Sequence, residues 1–278
     1  MRLSKIETSL IIVFVAFSIG FFLFPVYWDI ITSFKHESDI IKFPPIYFPV
    51  NITLEHWIFV LTERPSTQIS LMNSFIVSSF TTLLTLLFGI PAAYGLARGN
   101  FKHKETLSFA LITPLLLSGV IVLIPLYALM AMIGLINTLY SVIFLISVWQ
   151  LPIAVWILEG FFERIPIEVE ESALIDGCSK IGVLLRITMP LAVNGVCSAA
   201  IYTFVVSWNE FWIPFIFTSS LSTQTAPLSV WGFFASGFEI FWGKFAAFTV
   251  LAIAPPLILF LLFQKLFVEG MIRGAVKG

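Results

Sequence analysis

Residues 165–190 read IPIEVEESALIDGCSKIGVLLRITMP, a charged segment with a central glycine set between two strongly apolar blocks. Pro166 opens a helix where its missing N–H costs nothing. Glu168, Glu170 and Glu171 suit the positive end of the helix dipole, and Gly177 closes the helix in the left-handed conformation. The pattern predicts a short surface helix of about three turns. Ile165, Val169, Ser172 with Ala173, and Asp176 recur at three-to-four spacing, which puts them on one face. Small Ser172 and Ala173 let a partner's backbone approach that face, flanked by carboxylates that suit basic groups. The plain alternative is a solvated connector between two membrane helices.

The blocks on either side decide the class. In 278 residues, 59% are hydrophobic and 11% charged, with a mean hydropathy of +1.00. This is too apolar for a soluble domain and predicts an all-α integral membrane protein. Apolar spans of the roughly 20 residues needed to cross a bilayer fall at 9–31, 69–97, 107–133, 139–162, 191–217 and 246–268, which gives six transmembrane helices. Arg2 and Lys5 precede the first span as in a secretory signal, but Phe24 to Trp28 offers no small-residue cleavage site, so the segment reads as a retained helix.

With a cytoplasmic N-terminus, Arg2, Lys5, Arg98, Lys102, Lys104, Arg164, Lys180, Arg186, Lys265, Arg273 and Lys277 lie inside, and Lys35, Lys42, Arg64 and Lys244 outside. That asymmetry follows the positive-inside rule and places both termini and the 165–190 loop in the cytoplasm of a multi-pass cell-membrane protein. In chain order, 1–67 hold the first helix and a proline-punctuated extracellular excursion, 68–264 the membrane core with its loop, and 265–278 a cytoplasmic tail. Residues 218–244, rich in hydroxyls and then in aromatics, suit an interfacial outer loop.

Each span carries proline (Pro25, Pro91, Pro114 and Pro125, Pro152, Pro214, Pro255 with Pro256), which invites kinks. Ser207-Trp208-Asn209-Glu210 falls well inside the fifth span, where a carboxylate costs about 2.5–3.5 kcal/mol unless paired or hydrated. Asn209 and Glu210 therefore either bond between helices or line a translocation path or gate, and Asn73 and Gln150 raise the same question. Cys178 and Cys197 lie in different environments and give no disulfide or metal site. His36, His56 and His103 read as surface histidines. No catalytic motif is present: no Walker A loop, no H-E-x-x-H and no G-x-S-x-G.

The run from Glu170 to Gly177, followed by Ile187-Thr188-Met189-Pro190, resembles the cytoplasmic EAA signature of ABC importer permeases. Glu171, Ser172 and Ala173 stand at the E-A-A positions, Asp176 and Gly177 at the D-G, and Ile187 to Pro190 at the terminal I-x-L-P. Ser172 replaces Ala and Met189 replaces Leu, both close in volume. Met72-Asn73-Ser74, Ala92 to Arg98, Ile124 to Tyr127, Trp208 to Phe211 and the ending Gly274 to Gly278 extend the likeness over nearly the whole chain, in the pattern of the maltose-type second permease subunit of carbohydrate uptake.

The resemblance implies a type I ABC importer permease architecture with a cytoplasmic coupling helix. ATPase docking then falls to Glu168, Glu170, Glu171, Ser172, Ala173, Asp176, Gly177 and Pro190. It also implies alternating-access uptake of an oligosaccharide or polyol, with a second permease subunit as heterodimer partner, two cytoplasmic ATPase subunits and an extracytoplasmic sugar-binding protein. The chain would be a transport subunit surrounded by lipid, not an enzyme, binding neither nucleic acid nor a cofactor, with ATP and Mg held by the ATPases. The competing reading is an ion-coupled secondary transporter, which wants several buried ionisable groups and repeat symmetry where only Glu210 is clearly intramembrane.

Overall fold

The computed structural model describes residues 5–49, 51–100, 102–113, 119–235 and 241–275, and these are helical with no strand among them. The principal helices are α1 (Lys5–Thr32), α2 (Pro65–Arg98), α3 (Lys104–Ile112), α4 (Gly119–Met132), α5 (Leu139–Phe162), α6 (Ile167–Ile175), α7 (Lys180–Leu191), α8 (Val193–Trp208), α9 (Trp212–Phe217), α10 (Ala226–Ala235) and α11 (Trp242–Ala275).

Among the described residues, four helices are long and apolar enough to cross a membrane: α1, α2, α5 and α11, the last judged over Trp242–Gln264. α7 and α8 make a fifth only if counted as one broken span, since they meet at 82°. The expected third span divides between α3 and α4, and residues 114–118, with Pro114, lie outside the described residues. The fifth expected span is interrupted at 209–211 as well. Pro25, Pro91, Pro125, Pro152, Pro255 and Pro256 sit inside continuous helices, so the breaks fall elsewhere than most prolines suggest. The expected outer loop is also partly helical, because α10 occupies 226–235.

By packing, the chain forms two compact units, Met1–Gln68 with Ser229–Ala254, and Ile69–Leu228 with Pro255–Gly278. In the first, α1 leaves its apolar side chains open: Phe14 is 70% and Phe22 73% exposed. Beyond α1, Lys35 is buried, its Nζ 4.1 Å from the Trp28 ring centroid. Burial pushes its ammonium below the usual lysine range, against the pull of Asp39. His56, expected on the surface, is also buried and bonds through Nε2 to the Lys35 carbonyl at 2.8 Å. The Arg64 guanidinium stacks 3.8 Å from the Phe233 ring.

Among the described residues, the second unit holds two cores. One joins Ile90, Ala93 and Leu96 of α2 to Val155, Leu158 and Phe162 of α5, with Leu184 and Ala199. The other joins Val77 of α2 and Met130 of α4 to Val142 and Ile146 of α5, with Ile213 and Phe217 of α9. Lipid is as apolar as these side chains, so helices associate through close packing and interhelical hydrogen bonds. Gly195 of α8 shows how close: a Cβ there would stand 2.4 Å from Cγ of Phe161. Along α2, Ser70, Ser74, Ser78, Thr81 and Thr85 form a buried hydroxyl stripe, and Thr81 and Thr85 point their hydroxyls at the Ile143 and Ser147 carbonyls of α5, each at 3.5 Å.

Candidate functional site

α6 follows the local chemistry read from its sequence. Pro166 precedes it in extended backbone (ψ 132°), and Gly177 ends it at φ +89°. The Cys178 N–H donates to Ala173 O at 3.0 Å and the Gly177 N–H to Leu174 O at 3.1 Å, the paired bonds of a Schellman stop. Nothing lies within 4 Å of a Cβ built on Gly177, so only its dihedral demands glycine there.

One face of α6 is buried, and it is set by Glu170 and Ala173. Arg98 at the end of α2 donates from Nε to Glu170 Oε2 and from Nη2 to Oε1, both at 3.0 Å. The Tyr94 hydroxyl donates to Oε2 at 3.0 Å and Thr188 Oγ1 of α7 to Oε1 at 2.9 Å. Arg98 Nη2 also donates to Ile165 O at 2.8 Å. Burial pushes the Glu170 carboxyl up, but the bonds from Arg98, Thr188 and Tyr94 outweigh it and hold the group below its ordinary value. Glu170 is thus a charged plug under the helix, 4% exposed, and joins α2, α6 and α7. Thr188 reaches it from a π-helical turn, Leu184–Thr188.

The opposite face of α6 presents Glu168, Glu171, Ser172 and Asp176 to solvent, and Pro190 is exposed at the end of α7. Two apolar side chains that sequence periodicity did not single out are exposed here as well: Ile175, next to Asp176, is 86% exposed and Ile181 at the start of α7 is 70%. Apolar residues occur on both sides of α6, so spacing could not tell inner from outer. The grouping of Ala173 with an outward face gives way to an inward Ala173 beside Glu170, while Ser172 stays outside with its hydroxyl bonded to Glu168 O at 2.7 Å.

The polar residues expected in a path or gate do not converge. Asn73 of α2 donates to Ser222 O and Gln224 O, each at 2.8 Å, while Ser74 Oγ accepts from the Ala226 N–H at 2.7 Å. Gln150 is buried on α5, about a turn beyond Ser147. Asn209 is exposed at the end of α8, its amide bonded to Val205 O. Glu210 lies in the break after α8 rather than inside a continuous span, and its Oε1 accepts from the Ile213 N–H at 3.1 Å, capping α9. Asn137 was not foreseen. At φ +61°, its Oδ1 accepts from the N–H groups of Ser219 and Ser220 and from the hydroxyls of Ser220 and Thr223, at 2.9–3.0 Å. Asn73 and Asn137 together pin the loop 218–225. Among the described residues no group of His, Cys, Asp and Glu is arranged to hold a metal ion.

Residues 85–273, which include α5 to α9 and the Glu170 cluster, match the family described as binding-protein-dependent transport system inner membrane component. The chain belongs to this family. It is therefore an ABC importer permease of the inner membrane, a multi-pass transport subunit rather than an enzyme. The inner membrane ABC transporter permease protein YcjP of Escherichia coli (strain K12) is 32% identical to this permease over 257 residues, covering 92% of this chain and 91% of that one. The sulfoquinovosyl glycerol transport system permease protein SmoH of Agrobacterium fabrum is 34% identical, with 92% and 89% covered. The trehalose/maltose transport system permease protein MalG of Thermococcus litoralis is 32% identical, with 92% of each covered. In fold, the permease resembles a chain in the crystal structure of a bacterial ABC transporter involved in alginate import, at a TM-score of 0.80 and 18% identity, covering 95% of this chain and 99% of that one.

Proposed function

We propose that this permease is the maltose-type second subunit of an ATP-driven sugar importer, with six membrane helices and α6 as the helix that docks on a cytoplasmic ATPase. The observation that carries the reading is the two-sidedness of α6. Its inner face is fixed by Glu170, and its outer face offers Glu168, Glu171 and Asp176 around protruding Ile175. A short helix locked from behind and apolar at its tip, with an acidic surround, suits a partner cleft with an apolar floor and basic rim.

Both termini lie in the cytoplasm in this reading, ATP and Mg are held by two ATPase subunits, and a second permease completes the path for a substrate delivered by an extracytoplasmic binding protein. The relatives named for sulfoquinovosyl glycerol, trehalose/maltose and diacetylchitobiose transport support an oligosaccharide or polyol as that substrate. The test is co-purification of the ATPase with the tagged permease and uptake of an oligosaccharide panel by the reconstituted complex. Ile175→Glu and Glu171→Lys are expected to release or uncouple the ATPase. Wild-type hydrolysis and uptake in both would sink the docking assignment.

A further inference from the structure

α2 is gripped near both ends. Toward its C-terminus, Tyr94 and Arg98 supply three of the four hydrogen bonds that hold Glu170. Toward its N-terminus, Asn73 and Ser74 hold the backbone of Ser222, Gln224 and Ala226, where the loop 218–225 passes into α10. From Asn73 to Arg98 the helix rises about 37 Å, more than the ~30 Å hydrocarbon core of a bilayer. Between the grips it is unbroken through Pro91. It is packed by Thr81 and Thr85 against α5 and by Ile90, Ala93 and Leu96 in the first core.

A continuous helix bonded at both ends and packed between them does not shorten under load. α6 has only nine residues, and its buried carboxylate takes three bonds from α2 against one from α7, so a displacement of α6 is carried into α2 as well as along the chain into α7. At the far end the receiving bonds are to main-chain atoms, so the loop moves as a backbone unit. We propose that α2 is a relay between the docking helix and the loop 218–225, with Glu170 and Arg98 as the positioning pair at one end and Asn73 and Ser74 at the other. The inference rests on the importer reading for what stands at each end: an ATPase below α6, and the extracytoplasmic side at the loop. It adds the element that joins them and assigns Glu170 to transmission rather than to contact with the ATPase. Reciprocity follows, since whatever the loop binds biases α6 by the same coupling free energy.

The experiment uses the complete complex in lipid nanodiscs, with Cys178 and Cys197 replaced by serine and alanine and a nitroxide on Leu221→Cys in the loop. The probe is ATP with vanadate, which traps the closed ATPase. Trapping is expected to change the label's mobility. Glu170→Gln, which keeps the shape and removes the charge, and Asn73→Ala are each expected to cut that response about fivefold or more. The double variant should be no worse than the weaker single one, because both break one chain of contacts. Arg98→Lys and Ser74→Ala repeat the test at each end if either first choice fails to assemble. A full response in the single variants, or losses that multiply in the double, would overturn the relay and leave the importer reading intact. A wild-type complex that traps no vanadate would remove the importer reading and the relay with it.

Discussion

Arg98 meets Glu170 edge to edge, Nε on Oε2 and Nη2 on Oε1, each at 3.0 Å, with 15% and 5% of the two side chains exposed. A buried pair of this kind contributes little net stability compared with an apolar replacement, yet loss of one partner strands the other charge. The permease therefore depends on the pair being complete more than on the pair existing.

Glu170→Ala should lower the stability of the purified permease by about 2–3 kcal/mol, the cost of a half-buried guanidinium left with only the Ile165 carbonyl as partner. Glu168→Ala, two residues away on the exposed face, should stay within about 0.5 kcal/mol of wild type. Denaturant or thermal unfolding in detergent measures both. Equal losses would mean that the Glu170 cluster does not hold α6.

The same carboxylate sets a pH dependence. Its folded-state pKa is depressed below the ordinary 4.5, so its contribution is fully present above 4.5 and is lost as pH falls through the lower folded value. The melting temperature difference between wild type and Glu170→Gln should be constant from neutral pH to about 5 and shrink below 4.5. A difference that grows on acidification contradicts the assigned sign.

Gly177→Val forces a β-branched residue to φ +89° and should strain the stop of α6 by roughly 1–2 kcal/mol. Because no atom crowds the position, Gly177→Asn should be tolerated far better. Substrate-stimulated ATP hydrolysis by the reconstituted complex should fall in the valine variant and largely persist in the asparagine one. Equal loss in both would mean that the backbone angle is not what matters.

Gly195→Ala brings a methyl within 2.4–2.8 Å of Phe161 and should destabilise the α5–α8 contact by about 1–3 kcal/mol. The second-site change Phe161→Ala, which removes the Cγ and Cδ2 that crowd the methyl, should restore part of the loss. Additive losses in the double variant would show that the two positions do not compete for space.

Labelling of Cys178 tests the orientation. The thiol is partly exposed one residue past Gly177, and the proposed topology, argued from the asymmetry of basic residues, puts it in the cytoplasm. An impermeant maleimide should modify it in inverted vesicles and not in intact cells. Rapid labelling from outside would overturn the topology.

The ends of α6 were legible because proline and glycine act through their own backbone geometry, and that geometry holds whatever surrounds them. The burial of Glu170 was not. Three glutamates in a row of four positions look alike in sequence, and only the long-range arrival of Arg98 and Thr188 separates the one that turns inward. The break at 209–211 was hidden for a similar reason: Trp208, Phe211 and Trp212 keep the stretch apolar, while the capping of α9 by Glu210 depends on a single side-chain bond. Asn137 gave no periodic signal at all, since its function is to satisfy the backbone of a loop 82 and more residues away.

The 82° angle between α7 and α8 makes an elbow, and its joint is tied: Ala192 N–H bonds to Thr188 O at 2.9 Å, while Ala192 O accepts from the Gly195 and Val196 N–H groups at 2.8 and 3.0 Å. The cosine of 82° is about 0.14, so little of any slide along the axis of α7 is delivered along the axis of α8. Nearly all of it arrives crosswise. An elbow of this kind pushes the second arm sideways instead of lifting it, so a small travel at α7 reaches α8 as a shift across its axis, entering at Val193.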